Sequence, residues 1–340
     1  MTPAKEHCSF CPEEVLHEYN SDTPVPEVVQ VFKDNVALVQ VDDTELVIKQ
    51  YPKDVCANRA HFITSLHTRV NTALGLSPAM VETPNHRYFI ELGEHAYDVT
   101  EFVRNTPLTA ENVPDVSQFL FSIGTFVGAM HREMSRVSTN GHPDRQARLK
   151  IQPPTGEHFK SLLSLYEEHA IDKEWKQIIV SKMALSAEYS AAVGLASKLP
   201  RKVIHGDVYY KNILFNENLE IIGLIDYERA GIFYRIYEVI RAFVQINTFF
   251  NGVTIEPDDI TQFLKGYLLH NSLESIELHT MIDLYLYTQA ADISFLDPST
   301  ILQNAVDAEY GKLRYNNLLL LHNNRDRIFT ATSALADRIK

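Results

Sequence analysis

Hydrophobic positions in the first ninety residues recur mainly with the period of a strand. VVQVF, NVALVQV and ELVIKQY, between Pro24 and Tyr51, are rich in β-branched residues, and KDN and DDT separate them with turn chemistry. Three strands are predicted there. Residues 55–75 switch to a helical period, with Phe62, Ile63, Leu66 and Val70 on one face. Pro78–Thr83 reads as a loop with a short strand, RYFIEL at 87–92 as a further strand, and GEHAYD as the connector that leaves it. A small sheet with one helix is expected.

Beyond that point the period is helical. SQFLFSIGTFVGAMHREM (117–134) predicts an amphipathic helix, Ser135–Glu157 an irregular polar insertion, and 157–169 and 173–198 two more helices. KVIHGD interrupts them as a short strand entering a loop. NILF and EIIGLID predict a hairpin turned at NENL. After Ala230 the helical pattern resumes through YRIYEVIRAFVQI, DDITQFLKGYLL, an apolar stretch at 274–295 and two final amphipathic helices. The fold class is therefore α+β. The expected division is a β-rich N-terminal lobe over residues 1–92 and a large helical lobe over 93–340, with the hairpin facing the first lobe across a cleft.

The 340 residues, 45% hydrophobic and 22% charged, suit a globular chain with a sizeable core. A net charge of −13 argues against nucleic acid as a partner and would suit a cationic small molecule, although an acidic balance is ordinary in the cytoplasm. Three cysteines, Cys8, Cys11 and Cys56, do not make a disulfide framework, so a reducing cytoplasmic setting is expected. The N-terminus has no apolar signal-peptide core, and LLLL at 318–321 is far too short to span a membrane, so no membrane partner is expected. His7, Cys8, Cys11 and His17 offer one cysteine pair where a structural zinc site usually has two ligand pairs; a reduced terminal segment is the expected reading.

The chemistry concentrates in VIHGDVYYKNILF and the following IIGLIDYERAG. Phosphoryl transfer needs positioning and charge neutralisation more than covalent help. Mg²⁺ takes oxygen ligands, commonly one or two from protein. Asn212 and Asp226 stand at opposite ends of the predicted hairpin, and antiparallel pairing would bring them together as metal ligands. Asp207 precedes Asn212 on the same loop and can accept a hydroxyl proton. Gly206 permits a tight turn, and His205 can brace it. Each residue alone would be an ordinary turn or cap residue.

His205-Gly206-Asp207, Asn212 and Asp226 together resemble the catalytic and metal loops of the aminoglycoside phosphotransferase and choline kinase-like family, small-molecule relatives of the protein kinases. I-D-Y-E resembles that family's I-D-[FWY]-E, and Tyr234–Glu238 its P-R-x-Y-D stretch, with Glu238 where Asp is usual. Met130-His131 is similar to its L-H helix ending. The resemblance spans roughly residues 25–335. It implies a bilobal protein-kinase-like fold and a kinase using Mg²⁺ and ATP, with GTP left open as donor. Lys49 would grip the nucleotide phosphates, the backbone near Glu91 and Leu92 would hold the nucleobase, Asp207 would be the catalytic base, and Asn212 and Asp226 would hold the metal.

Two departures stand out. Kinase-like folds often pair the strand lysine with a glutamate on the first helix, yet no Asp or Glu lies between Val55 and Val81. Asn58, His61 and Thr64 are the alternatives there. The phosphate-covering turn FKDNVALV has no glycine, so the backbone around Asn35 would do the cradling. These departures keep a nucleotide-binding regulatory pseudokinase as the alternative, whereas the absence of D-F-G and A-P-E disfavours a protein kinase. The acceptor is expected to be a small-molecule hydroxyl: an amino sugar or aminoglycoside, a natural-product intermediate, or a choline- or homoserine-like amino alcohol. Glu228, Arg235, Glu238, Asp283, Asp292 and Asp297 are candidate polar contacts, Tyr285 and Tyr287 candidate aromatic faces for a cation, and Tyr209 and Tyr210 candidate walls. Arg235 has two readings, holding the catalytic-loop acids in place or pairing with Glu238, three residues on, and a structural role is expected of it.

Overall fold

The computed structural model describes residues 8–339, apart from 54, 56, 138–155, 169–172, 253–254 and 297–304. The described residues fall into two compact units. The first lies within Met1–Asn112, Ala129–Asp144 and Val203–Gly231, and the second within Val113–Gly128, Arg145–Lys202 and Ile232–Lys340.

In the first unit a five-stranded antiparallel sheet is built from β1 (Glu27–Lys33), β2 (Val36–Val41), β3 (Thr44–Gln50), β4 (Ile90–Leu92) and β5 (His95–Glu101), in the order β1-β2-β3-β5-β4. The three predicted strands of the meander are present, and their apolar runs put Ala37, Val39 and Ile48 in the core. The terminal segment contributes a helix not predicted from the sequence, α1 (Pro12–Tyr19), which packs Val15, Leu16 and Tyr19 into the same cluster. Helix α2 (Ala57–Leu74) matches the predicted helix and buries Phe62, Ile63, Leu66 and Val70.

The main correction concerns β5. HAYDVTE, expected to begin as a connector, is the strand between β3 and β4, and RYFIEL contributes only its last three residues to β4. Asp98 and Thr100 made this segment look polar, yet both are buried, because a strand central to a sheet has neighbours on every side. Pro78–Thr83 holds only an isolated bridge, Met80 to Thr100, rather than a strand.

The same unit contains the predicted hairpin, β7 (Ile213–Phe215) with β8 (Ile221–Leu224), following β6 (Arg201–Ile204). Gly223 makes a parallel bridge to Ser77, whose N–H donates to the Ile222 carbonyl at 2.7 Å. This docks the segment after α2 against the hairpin.

The second unit is helical. It holds most of α3 (Val116–Met134), then α4 (Gly156–Glu168), α5 (Lys173–Glu188) and α6 (Ala191–Ala196), so the predicted 173–198 helix is broken in two. A short strand, β9 (Gly231–Tyr234), precedes α7 (Arg235–Asn251), α8 (Pro257–Leu268), α9 (Ser275–Ala291) and α10 (Ala305–Ile339). The two final helices expected from sequence are one 35-residue helix. Most of the expected insertion at 135–157 lies outside the described residues.

Gly223 supplies the test of this docking. A Cβ there would run into the Ser77 backbone carbonyl, which cannot swing aside as a side chain tip could. Gly223→Ala is expected to lower stability by about 1–3 kcal/mol in urea denaturation. An unchanged midpoint would show that the Ser77 segment is not seated on the hairpin.

Candidate active site

The hairpin register does what the sequence required of it. Ile213 pairs with Leu224, and the Ile225 N–H extends the ladder to the Asn212 carbonyl at 3.0 Å, so Asn212 and Asp226 flank one end of the ribbon. Asn212 donates its side-chain N–H to the Asp207 carbonyl at 2.9 Å, which commits the nitrogen and leaves the amide oxygen as the atom that could serve a cation. Asp226 adopts a left-handed conformation (φ 68°), a strained state for a residue with a Cβ that is found at functional turns.

The turn before Asn212 is braced from below. His205 is fully buried, and its Nε2 lies 3.0 Å from the Ile225 carbonyl while its Nδ1 accepts the Asp207 N–H at 3.3 Å. A carbonyl only accepts and an amide only donates, so these partners select the neutral tautomer with the proton on Nε2. Gly206 takes φ 81°, which its missing Cβ permits. Tyr227 stacks on His67 at 5.0 Å and donates its hydroxyl to Asn71 at 3.1 Å, fastening the turn after β8 to α2. Burial pushes the His67 imidazole down to about 4, so it stays neutral in that stack. The Asp207 side chain is 13% exposed, with the Arg229 guanidinium 3.7 Å away.

Lys49, on β3, reaches across to this loop. Its Nζ lies 2.8 Å from Asp226 Oδ1 and 2.9 Å from Glu228 Oε1. Burial alone would lower the lysine pKa, but the charges of Asp226, Glu228 and Asp98 outweigh it and raise it. Burial likewise pushes Asp226 up, and the ammonium more than reverses this. The helix residues Asn58, His61 and Thr64 are not the partners of Lys49. Thr64 donates to the Ala60 carbonyl of its own helix, and the His61 ring lies beside Phe89.

These groups border a cavity of about 490 Å³ within the first unit, lined by Lys49, Asp98, Thr100, Asn212 and Asp226 among others. Glu101, Phe102 and Val103 form another part of its wall, whereas Glu91 and Leu92 do not line it. This part of the wall thus lies at the end of β5, not of β4, because the sheet contains a strand where the sequence predicted a connector. Asn35 is also absent from the lining. Its side chain donates to the Gln50 carbonyl at 2.8 Å and ties the β1–β2 turn to β3, and its neighbours Lys33 and Val36 reach the cavity instead.

Several expected acceptor contacts are already committed within the second unit. Arg235 pairs with Glu277 at 2.5 and 2.7 Å rather than with Glu238, and Glu277 also accepts the Glu274 N–H in the capping box of α9. Asp283 is bound by Arg325 and Asp292 by Arg314. Tyr285 and Tyr287 are buried, which removes them as exposed aromatic faces. Tyr209 and Tyr210 meet edge to face, and Lys211 lines the cavity. Asp297 and His7 lie outside the described residues, and among the described residues no cluster of His, Cys, Asp and Glu is grouped as for a metal.

Asp98 is the site residue that sequence reading missed. It is the cross-strand partner of Lys49, accepts a hydrogen bond from the Tyr51 hydroxyl, and is pushed up to about 6 by burial. A raised carboxyl pKa contributes stability fully below the unfolded value near 3.8, and that contribution is lost as pH rises through 6. Asp98→Asn should therefore match the wild type near pH 4 and become the more stable protein above pH 6, by up to about 3 kcal/mol. Thermal denaturation across that range checks this; parallel pH profiles would contradict it.

The sequence profile of the phosphotransferase enzyme family (APH) matches residues 31–278. Among curated proteins none matches the chain in sequence. Solved structures share its fold. An aminoglycoside phosphotransferase from Alicyclobacillus acidocaldarius is 13% identical, with 96% of this chain and 99% of that one covered and a TM-score of 0.63. A spectinomycin phosphotransferase in complex with ADP and spectinomycin is 15% identical, with 91% and 96% covered and a TM-score of 0.60. A microcompartment-associated aminopropanol kinase is 11% identical, with 93% and 97% covered and a TM-score of 0.61. The fold is kinase-like, and because the profile spans most of the chain, including both halves of the HGD and IDYE constellation, the chain belongs to the phosphotransferase enzyme family.

Proposed function

We propose that this phosphotransferase is a cytoplasmic kinase that uses Mg²⁺ and ATP to phosphorylate a hydroxyl of a small, amine-bearing molecule. The observation that carries the reading is the convergence of Lys49, Asn212 and Asp226 on one cavity, with Asp207 hydrogen-bonded to Asn212 beside it. A nucleobase fits against Glu101–Val103, and the ammonium of Lys49 is placed to neutralise phosphate charge. The Asn212 amide oxygen and the Asp226 carboxylate are the hard oxygen donors that suit Mg²⁺, which would supply charge neutralisation at the phosphates. Asp207 takes the proton from the acceptor hydroxyl as that oxygen bonds to the γ-phosphorus and the bond to ADP breaks.

The amine preference is supported by the acidic balance of the chain, −13 overall, and by the amino alcohol named for one structural neighbour, the aminopropanol kinase. Free thiols at Cys8 and Cys11 fit a reducing compartment, and among the described residues no helix is long and apolar enough to cross a membrane. The missing helix carboxylate and the glycine-free turn motivate a regulatory pseudokinase as the alternative; Glu228, 2.9 Å from Lys49, supports the kinase reading.

A Mg²⁺-dependent ATP-consumption screen over amino alcohols, amino sugars and aminoglycosides tests the proposal. Turnover is expected with one acceptor class, and Asp207→Asn should cut it by about 10²–10⁴-fold while nucleotide binding persists. Turnover that survives in the variant would remove Asp207 from its role.

A further inference from the structure

We infer that Glu228 and Arg59 together replace the acidic helix partner that Lys49 lacks: Glu228 holds the ammonium, and Arg59 on α2 holds the loop that carries Glu228. The inference rests on the reading of Lys49 as the phosphate-gripping lysine.

Helix α2 contains no acidic residue and cannot pair with a lysine directly. It grips the 227–230 turn instead. Arg59 Nη2 donates to the Glu228 carbonyl at 2.8 Å and to the Ala230 carbonyl at 2.5 Å. The guanidinium also lies over the Phe62 ring of its own helix, at 5.4 Å. One residue before Glu228, Tyr227 is fixed by His67 and Asn71 of the same helix. The backbone of Glu228 is thus held by a helix cation while its carboxylate is 2.9 Å from Lys49. A planar guanidinium can serve two carbonyls at once, as an ammonium does less well. Displacement of α2 would carry Glu228, and with it the lysine.

The arrangement also separates two demands. Asp226 pairs with Lys49 yet is the proposed metal ligand. With Glu228 holding the same ammonium, Asp226 can turn to a cation without leaving the lysine unpaired. Glu228 and Arg59 are accordingly positioning residues that act through Lys49.

The test combines two readouts on the full-length protein. The rate at which an amine reagent modifies Lys49 at one fixed pH, followed by peptide mass spectrometry, reports the ion pair without nucleotide. Calorimetric binding of MgAMP-PNP reports its consequence. Glu228→Gln and Arg59→Ala should each speed modification of Lys49 and weaken binding about tenfold. Arg59→Lys should restore part of both. In the Lys49→Met background, Glu228→Gln should cost less than about twofold. Unchanged Lys49 reactivity in Glu228→Gln, or a binding cost that persists in full without Lys49, as for a metal ligand, would overturn the inference. Absent wild-type binding with the predicted reactivity pattern would instead overturn the nucleotide reading alone.

Discussion

The ion pair between Lys49 and Asp226 is the constraint on which the first unit is organised. The two residues are 177 positions apart, and their contact at 2.8 Å fixes the sheet against the hairpin. Removing a charged group from water costs several kcal/mol unless a partner compensates it. The two segments are therefore matched to each other: β3 must present the lysine where the hairpin register and the turn after it present Asp226 and Glu228. The bridge between Ser77 and Gly223, the Tyr227–Asn71 hydrogen bond and the Arg59 contacts all tie the segments between them into that geometry.

Charge around the lysine is deliberately unbalanced. Asp226, Glu228 and Asp98 all act on one ammonium. Burial keeps a proton on Asp98 until about pH 6, and Tyr51 hydrogen-bonds it. The surplus from Asp226 and Glu228 is negative already and grows above that pH, which suits the cation and anionic substrate of the proposed function. The polar strand β5 is thus part of the chemistry as well as part of the sheet.

Much of this was legible in the sequence wherever the signal was local. The hairpin, the HGD turn and the placement of Asn212 beside Asp226 follow from short spacings whose pairing has few alternatives. Helix α2 and the β1–β3 meander follow from periodicity. The failures came where function or packing overrode the pattern. HAYDVTE looked like a connector because Asp98 is buried for its charge partners rather than for hydrophobicity, and the wall at Glu101–Val103 was misplaced with it. Two C-terminal helices were expected where there is one, and Gly311 lies inside it as a packing glycine, where a Cβ would meet the Phe295 and Trp175 rings. The lack of an acid on α2 was visible, but its substitute was not, because Glu228 reaches Lys49 only through tertiary structure.

In the proposed function, one nucleotide site is formed by β3, the Glu101–Val103 segment and the 207–227 loops. Hydrogen–deuterium exchange of the protein with and without MgAMP-PNP tests it most directly. Protection is predicted at Glu101–Val103 and across Asp207–Tyr227, with none gained at Glu91–Leu92. Protection confined to other segments, or none at all, would contradict it.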